Sequence, residues 1–221
     1  VPSAPASTPP RYAQNFEITA HPTHRLATIR DAQHDNRALH HYALVPKDRP
    51  LPPLPPGTTV IRTPVERVVA LETVHIGYLD ALQQLNCLVG AATVDFICNP
   101  QVRSAIAQGR IQVVQAGAGI DIERLLLLQP DLILTSTSGA SSPAQAGSLA
   151  RAGLPVVQSA GYLEPHPLAR AEWLKLIAAF FNCEDRAAQH FERVAARYES
   201  LCSQTLDIRP RPRVFCGAPY A

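Results

Sequence analysis

Between residues 67 and 159 the chain alternates short apolar segments with segments of helical spacing. The apolar segments are RVVALE, LVGAA, DLILTS and LPVVQSA, and helix-like segments separate them. Short strands that are apolar at nearly every position are typical of a parallel sheet covered by helices on both faces. The pattern therefore predicts an α/β fold, with a parallel sheet flanked by helices.

The helices of this repeat carry recognisable start and stop signals. NPQVRSAIAQGR begins with an asparagine cap and a proline in the first turn, and SSPAQAGSLARAG ends at Gly153. ERLLLLQPDLIL predicts a helix from about residue 122 to 129 and then a strand. We expect its leucines to pack the helix against the sheet. The acids lie at the N-terminus of this helix, where the helix dipole stabilises negative charge.

The whole chain divides into five predicted regions. Residues 1–11 form a low-complexity tail that we expect to be disordered. Residues 12–57 contain three short antiparallel strands and the stiff connector RPLPPLPPG. Residues 58–183 form the α/β lobe, 184–206 a helix roughly 34 Å long, and 207–221 the start of a further strand.

Composition excludes several classes of protein. The net charge is +2 and the basic residues are scattered, so no nucleic-acid partner is expected. No apolar run of about 18 residues is present, so no membrane-spanning helix is expected. Methionine is absent, even at position 1, and the Pro/Ser/Ala-rich start can follow a cleaved signal peptide. We therefore expect a trimmed or matured chain.

Patterns of metal-binding side chains are weak. The five cysteines show no zinc-type spacing, which predicts small buried side chains, with one bridge between Cys183 and Cys202 as the alternative. Histidines at positions 21, 24, 40 and 41 would need to converge as cross-strand pairs to bind a transition metal. No cysteine or carboxylate accompanies them at a known spacing. We therefore expect surface histidines and no metal site.

Four ordered segments carry a resemblance to a known family. RVVALETVHIGYLDAL, GAGIDIERLLLLQPDLIL, LARAGLPVVQSA and EPHPLARAEWLKLIAAFF resemble the periplasmic substrate-binding proteins of ABC importers. The resemblance covers roughly residues 12–221 and points to the branch that takes up cobalamin, ferric siderophores and haem. It implies two α/β lobes joined by one long helix, here residues 184–206, with a second lobe truncated after its opening strand.

The same resemblance implies a function. It indicates a periplasmic, monomeric solute-binding protein that is not an enzyme and that delivers its ligand to an ABC permease. It implies no cofactor, although the transported metal chelate or corrinoid would contain iron or cobalt. It also implies that Glu123 lies on the lobe surface and docks onto arginines of the permease, where a rim charge mainly sets encounter and register.

Ligand is expected above the carboxyl ends of the strands, where open α/β sheets bind ligands. For several candidates an ordinary structural role stays open: Thr73 as a helix cap, His75 as a surface histidine, the hydroxyls as caps and Tyr162 as a packed ring. Trp173 is expected in the core, beside a solvated or lobe-packing pair, Arg170 and Glu172. The candidate ligand-binding residues are Thr73, His75, Phe96, Ser136, Thr137 and Tyr162.

Two other functions stay open. A zinc or manganese receptor would use His75 with the acids of the strand-end loops, Glu72, Asp95 and Glu164. A doubly wound α/β enzyme acting on a small polar substrate would need a base near Ser136 or Ser138, and none is identifiable. No G-x-S-x-G, glycine-rich phosphate loop or H-E-x-x-H motif is present.

Overall fold

The computed structural model describes residues 9–31, 37–117, 119–137 and 143–214, and its first element is an N-terminal sheet. The three strands predicted here are confirmed, and they pair as an antiparallel meander in sequence order. The fourth strand adds parallel to the third, so the prediction that the α/β lobe begins at residue 58 is wrong. The strands are β1 (Phe16–Ala20), β2 (Arg25–Asp31), β3 (Arg37–Pro46) and β4 (Thr58–Thr63).

A second sheet forms the centre of the molecule and confirms the predicted parallel α/β fold. Its five strands are all parallel, in the order β11-β10-β5-β6-β7. A small hairpin of β8 and β9 follows β7. The strands are β5 (Val68–Ala70), β6 (Leu88–Ala91), β7 (Gln112–Val113), β8 (Gln115–Ala116), β9 (Gly119–Ile120), β10 (Leu132–Ser136) and β11 (Val156–Ser159).

Six α-helices occur within the described residues, and the ends of two of them follow the predicted signals. The Asn99 side chain accepts hydrogen bonds from the backbone N–H groups of Gln101 and Val102, and proline opens that helix. Gly153, with φ of 77°, follows the fourth helix. The helices are α1 (Thr73–Ala81), α2 (Pro100–Ala107), α3 (Ile122–Leu128), α4 (Pro143–Arg151), α5 (Pro167–Phe181) and α6 (Glu184–Thr205).

The central sheet is buried on both faces. Successive residues of its strands alternate between two core clusters, so that Val68 and Leu132 belong to one and Val69 and Ile133 to the other. The first cluster includes α1, α2, α5 and the N-terminal sheet, and the second includes α3 and α4. This arrangement explains why the strands are apolar at nearly every position.

Helix α3 buries only half of its leucines. Leu125 is fully buried and Leu128 is half-buried, whereas Leu126 and Leu127 are 48% and 85% exposed. The prediction that all four leucines pack against the sheet is therefore wrong. A helix places residues three or four apart on one face, so a run of four leucines must direct some of them to solvent.

Residues 11–15, here called the N-terminal strap, cross α5 and bind two buried carboxylates. Glu172 accepts hydrogen bonds from the backbone N–H groups of Arg11, Tyr12 and Ala13 at 2.8, 2.7 and 2.9 Å. The prediction that Arg11 belongs to a disordered tail is wrong, and so is the expectation of a solvated or lobe-packing Arg170–Glu172 pair, because Glu172 is fully buried.

Glu164 holds the other end of the strap. This carboxylate is fully buried and accepts hydrogen bonds from the backbone N–H groups of Gln14 and Asn15, both to Oε1, at 3.0 and 2.9 Å. Its Oε1 also accepts from the Trp173 indole N–H at 3.1 Å. Two buried acids, one in the turn before α5 and one in α5, therefore fix a segment that lies about 150 residues earlier in the chain.

Helix α6 confirms the predicted long helix, with 22 residues and a length of about 33 Å. Its first half packs on α5 through Ala187, Phe191 and Ala195. Its last turns, from residue 199 onward, are exposed. The strand expected from residue 213 falls largely on residues 215–221, which lie outside the described residues. None of the described helices has the length and apolarity to cross a membrane.

The cysteines depart from the prediction. Cys87 is buried and Cys183 is half-buried, but Cys98 and Cys202 are exposed, and all four are free thiols. Cys183 and Cys202 lie at opposite ends of α6, which is too long a separation for a disulfide. Cys216 lies outside the described residues.

Candidate ligand-binding site

The carboxyl ends of β5, β6, β10 and β11 meet at one edge of the central sheet, as parallel strands must. The start of α1 rises from this edge directly after β5. Two open hollows lie here, one on each side of α1. We call them the α5-side hollow and the α2-side hollow, and define each below by its lining residues.

The α5-side hollow has a volume of about 380 Å³. Its floor consists of strand-end residues and its far wall of the start of α5 and the turn before it. Ser136 and Tyr162, two of the predicted site residues, lie here. The lining residues are Glu72, Val74, Tyr78, Ser136, Ser159, Gly161, Tyr162, Arg170 and Trp173.

Glu72 is the acidic group of this hollow. It occupies the N-cap position of α1, and its Oε1 accepts a hydrogen bond from the Ser136 backbone N–H at 3.0 Å. The Thr135 hydroxyl is 3.5 Å from the same oxygen. These contacts tie the end of β5 to the end of β10 and hold the half-buried carboxylate at the floor of the hollow.

Thr137 and Tyr162 lie together at the rim. The Thr137 hydroxyl and the Tyr162 hydroxyl are 3.3 Å apart and share a hydrogen bond. The Thr137 backbone N–H donates to the Ser159 carbonyl at 3.0 Å and extends the β10–β11 pairing by one residue. Tyr162 is 44% exposed, so its ring is available at the surface. Ser138 lies outside the described residues.

His75 is not exposed to the hollow. Its side chain is fully buried, and its Nε2 lies 3.0 Å from the Ser159 hydroxyl. Its Nδ1 has no hydrogen-bond partner, and burial lowers the pKa of the ring to about 4. The structure contradicts a surface position for His75, and its ring lines neither of the two hollows. A neutral His75 instead supports Ser159, which does line the hollow.

The α2-side hollow has a volume of about 280 Å³ and contains two more predicted site residues, Thr73 and Phe96. Thr73 is the first residue of α1 and is exposed, so it does not cap that helix. Phe96 is 75% exposed, so its ring is available at the surface of this hollow. The remaining lining residues are Ile76, Gly77, Asp80, Ile97, Cys98 and Asn99.

Two further hollows lie elsewhere on the molecule and are weaker candidates for the ligand-binding site. One, of about 690 Å³, lies between α2 and the amino ends of β6 and β7, away from the edge where open α/β sheets bind ligands. The other, of about 320 Å³, lies between α1, α5 and α6 and is lined mainly by apolar side chains.

Trp173 and Arg170 reach the site from α5. Trp173 is fully buried, as predicted, and its ring backs the hollow against Gly161. Arg170 donates its Nε–H to the Glu164 carbonyl at 2.8 Å, which directs the guanidinium along the wall of the hollow. Arg170 was expected to have only a structural role, and Glu72 was predicted only as part of the alternative metal site. Glu72 directly follows a strand, a signal that was available, whereas Arg170 depends on the turn before α5.

The residues that a zinc or manganese site would require do not converge. His75 and Glu164 are buried with other partners, and Asp95 accepts a hydrogen bond from the Thr93 hydroxyl at 3.0 Å. His21 and His24 stack on each other with ring centroids 4.7 Å apart. No group of three or more His, Cys, Asp or Glu side chains suited to a metal occurs in the described residues.

Glu123 lies in the first turn of α3 and is exposed. Its neighbour Asp121 caps the helix, with its carboxylate accepting from the Arg124 backbone N–H at 2.9 Å. Glu123 forms no ion pair with any residue in the described ranges. Together with Leu126 and Leu127 it forms a surface that we call the α3 patch, an acid beside two exposed leucines.

Comparison with known sequences finds one family. The model of the family described as periplasmic binding protein matches residues 68–219. An uncharacterized lipoprotein of Methanocaldococcus jannaschii is 26% identical over 164 residues, which are 69% of this chain and 39% of that protein. A second uncharacterized lipoprotein of the same organism is 24% identical over 92% of this chain and 52% of its own length.

Solved structures show the same fold. The siderophore-binding protein BauB, bound to a complex of two acinetobactin molecules and ferric iron, matches with a TM-score of 0.53 and 20% identity over 70% of this chain and 54% of that chain. A periplasmic heme-binding protein from Pseudomonas aeruginosa matches with a TM-score of 0.51 and 23% identity over 67% and 50%. This chain spans about half the length of these proteins.

Proposed function

Because the chain belongs to the periplasmic binding protein family, we propose that it binds a solute and delivers it to the permease of an ABC transporter. The observation that carries the proposal is the position of the two hollows, both at the carboxyl edge of the parallel sheet. Relatives named as lipoproteins and the family itself support a periplasmic or otherwise extracytoplasmic location.

The proposed ligand is a metal chelate or corrinoid, such as a ferric siderophore, cobalamin or haem. Ligands of this kind are broad and partly planar, and they need aromatic walls and a few polar anchors. Phe96 and Tyr162 are exposed aromatic side chains at the two hollows, and the hydroxyl of Ser159 adds a polar group to the floor. Structural neighbours that bind a ferric siderophore or heme support this class.

The geometry favours binding over catalysis. His75 and Ser159 are the one histidine–serine pair within hydrogen-bond distance at this edge in the described residues. A base in such a pair needs a pKa near the working pH and a third group to orient it. His75 has a pKa of about 4 and an unpartnered Nδ1, so it is a poor base.

In the proposed mechanism, α6 joins this lobe to a second lobe, and the ligand is enclosed between the two. The exposed last turns of α6 and the greater length of the relatives support this arrangement. One connecting helix restricts the lobes to a small rigid-body closure. The closed, loaded protein is then the form that docks on the permease.

The proposal is tested by a thermal-shift panel on the full-length protein. The panel contains cobalamin, cobinamide, two ferric siderophores, haem, zinc and manganese. A ligand that binds only the folded state at a hundredfold excess over its Kd stabilises it by about 2.7 kcal/mol. We expect a shift with at least one chelate or corrinoid. A shift with zinc or manganese alone would contradict the proposal in favour of a metal-ion receptor.

Phe96→Ala is expected to weaken the binding of that ligand about tenfold while leaving stability unchanged within about 0.5 kcal/mol. The ring is 75% exposed, so its removal costs the fold little but removes one wall of the α2-side hollow. Titration calorimetry and urea unfolding measure the two effects. Leu127→Ala, at an 85% exposed position on α3, is the control. Equal ligand affinities of the wild type, Phe96→Ala and Leu127→Ala would contradict a role for Phe96.

We also propose that the α3 patch is the surface that docks on the permease, with Glu123 facing its arginines. Glu123→Arg is expected to leave ligand affinity unchanged and to abolish stimulation of the transporter ATPase in proteoliposomes, because it reverses a charge at the contact. Asp185→Arg is the matched control, an exposed acid in the first turn of α6. Equal stimulation by the two variants would exclude Glu123 from the interface.

A further inference from the structure

The α5-side hollow contains two opposite charges that do not neutralise each other. Glu72 and Arg170 both line it, yet neither forms an ion pair with any residue that the structure describes. Hydrogen bonds from described residues reach only Oε1 of Glu72. The Arg170 Nε donates to the Glu164 carbonyl, and its two terminal nitrogens have no partner among the described residues.

The surroundings hold both charges in place. The Ser136 backbone N–H fixes one oxygen of Glu72 at 3.0 Å, which leaves Oε2 as the free acceptor. Both the backbone and the side chain of Arg170 are held by hydrogen bonds. Its carbonyl accepts from the Tyr78 hydroxyl at 3.1 Å, and its Nε–H donates to the Glu164 carbonyl. The two charges therefore cannot simply turn away when the hollow is filled.

Filling the hollow changes the cost of these charges. In the open hollow, water solvates the half-buried carboxylate and the exposed guanidinium. A ligand that occupies about 380 Å³ displaces this water, and a desolvated charge without a partner is strongly unfavourable. A ligand offsets that cost most fully by supplying an opposite charge to each group.

We propose that the α5-side hollow selects a ligand that carries both a cationic and an anionic group. An ammonium or similar cation binds Glu72 Oε2, and a carboxylate or other oxyanion binds the terminal nitrogens of Arg170, which suit a bidentate contact. Ser159 also lines the hollow, and its hydroxyl offers the ligand a neutral hydrogen bond. This inference rests on the proposed function and narrows its ligand to zwitterionic chelates, at the expense of ligands whose peripheral charges are all negative.

A matched series of ferric hydroxamates tests the inference. Ferrioxamine E is cyclic and has neither charged arm, ferrioxamine B has a free ammonium, and ferrioxamine G has an ammonium and a carboxylate. We expect the full-length protein to bind G more tightly than B and B more tightly than E, each step by about tenfold. Glu72→Gln should remove the advantage of B over E, and Arg170→Gln should remove the advantage of G over B.

The wider panel separates failure of the inference from failure of the proposed function. For any other chelate that carries both charges, both variants should weaken binding at least tenfold, and changes below threefold in both would overturn the inference alone. Preferential binding of haem, whose peripheral charges are all negative, would overturn the inference and leave the proposed function in place. Binding of L-lysine or glycine betaine without any chelate would support the charge selection and overturn the proposed cargo. Binding of none of these compounds would overturn both. Urea unfolding of each variant controls for loss of fold.

Discussion

Replacing Trp173 by alanine is expected to lower the free energy of unfolding by about 4 kcal/mol. The side chain is fully buried and packs edge-on against Phe16, with ring centroids 5.1 Å apart. A Cβ at Gly161 would lie 3.1 Å from the indole, so this backbone already packs directly on the ring. The substitution therefore leaves a cavity that the surrounding backbone cannot fill without moving the turn before α5.

The substitution also removes a hydrogen-bond donor from a buried carboxylate. The Trp173 indole N–H donates to Glu164 Oε1, and a buried acceptor that loses a donor costs about 1–3 kcal/mol. Trp173→Phe separates the two effects, because it keeps most of the ring and loses only the donor. We expect it to cost about 2 kcal/mol.

Urea unfolding followed by far-UV circular dichroism measures these differences, since Trp173 is the only tryptophan and its fluorescence disappears in both variants. Tyr162→Ala, which removes a half-exposed ring from the same hollow, is expected to change stability by less than about 0.5 kcal/mol. A cost below about 2 kcal/mol for Trp173→Ala would contradict the cavity argument.

The fold could be predicted from the sequence because its signals are local. Strand β10 is buried at all five positions. A short segment that is apolar on both faces predicts a parallel strand from its own sequence, without knowledge of the strands that pair with it. The cap at Asn99 and the turn at Gly153 depend on residues within four positions of themselves. The lobe boundary predicted at residue 58 was wrong because β4 (Thr58–Thr63) pairs with β3, and nothing in the sequence of β4 indicates which strand it pairs with.

The site could be predicted only in part, because burial depends on what packs above a residue. Ser136, Tyr162, Thr73 and Phe96 line the two hollows, as expected for residues that follow parallel strands. His75 is the third residue of α1, and its side chain points into the core rather than toward either hollow. The sequence shows the loop that carries a residue, but not the direction of its side chain.

The strap shows most clearly what sequence patterns cannot reveal. Glu164 and Glu172 are ordinary acids of a loop and a helix, and nothing near them predicts that both are fully buried. Their partners are backbone N–H groups, which every residue except proline has, so residues 11–15 carry no side-chain signal for the contact. Only the folded chain brings the two segments together.

Glu172→Gln is expected to release the first half of the strap at a cost of about 3 kcal/mol. The carboxylate accepts from three successive backbone N–H groups and from the Lys175 ammonium at 2.6 Å. The amide nitrogen of glutamine would point its two hydrogens at these N–H donors, a position that requires a hydrogen-bond acceptor. Hydrogen exchange should show the amides of Arg11, Tyr12 and Ala13 exchanging about a hundredfold faster, and urea unfolding should show the loss of stability.

The effect should depend on pH in a direction fixed by the pKa of Glu172. Burial raises this pKa, but the hydrogen bonds from Lys175 and from the backbone of Arg11, Ala13 and Tyr12 outweigh burial and hold it below its ordinary value. A lowered pKa in the fold gives stability that is complete above the unfolded value of about 4.3 and is lost as pH falls through the lower folded value. The difference between wild type and Glu172→Gln should therefore be largest near neutral pH and should shrink below about pH 4.3.

A second glutamate separates anchoring of the backbone from simple charge attraction. Glu192 of α6 also reaches the strap, at 3.9 Å from the Arg11 guanidinium, but both side chains are more than half exposed. Such a pair contributes at most about 1 kcal/mol, so Glu192→Gln should leave exchange at Tyr12 and Ala13 unchanged. If the two variants had equal effects, the strap would be held by surface charge. The alternative outcome is that only Glu172→Gln accelerates exchange, and only at pH values above the pKa of Glu172 in the wild type. In that case the buried carboxylate is what fixes this segment against α5.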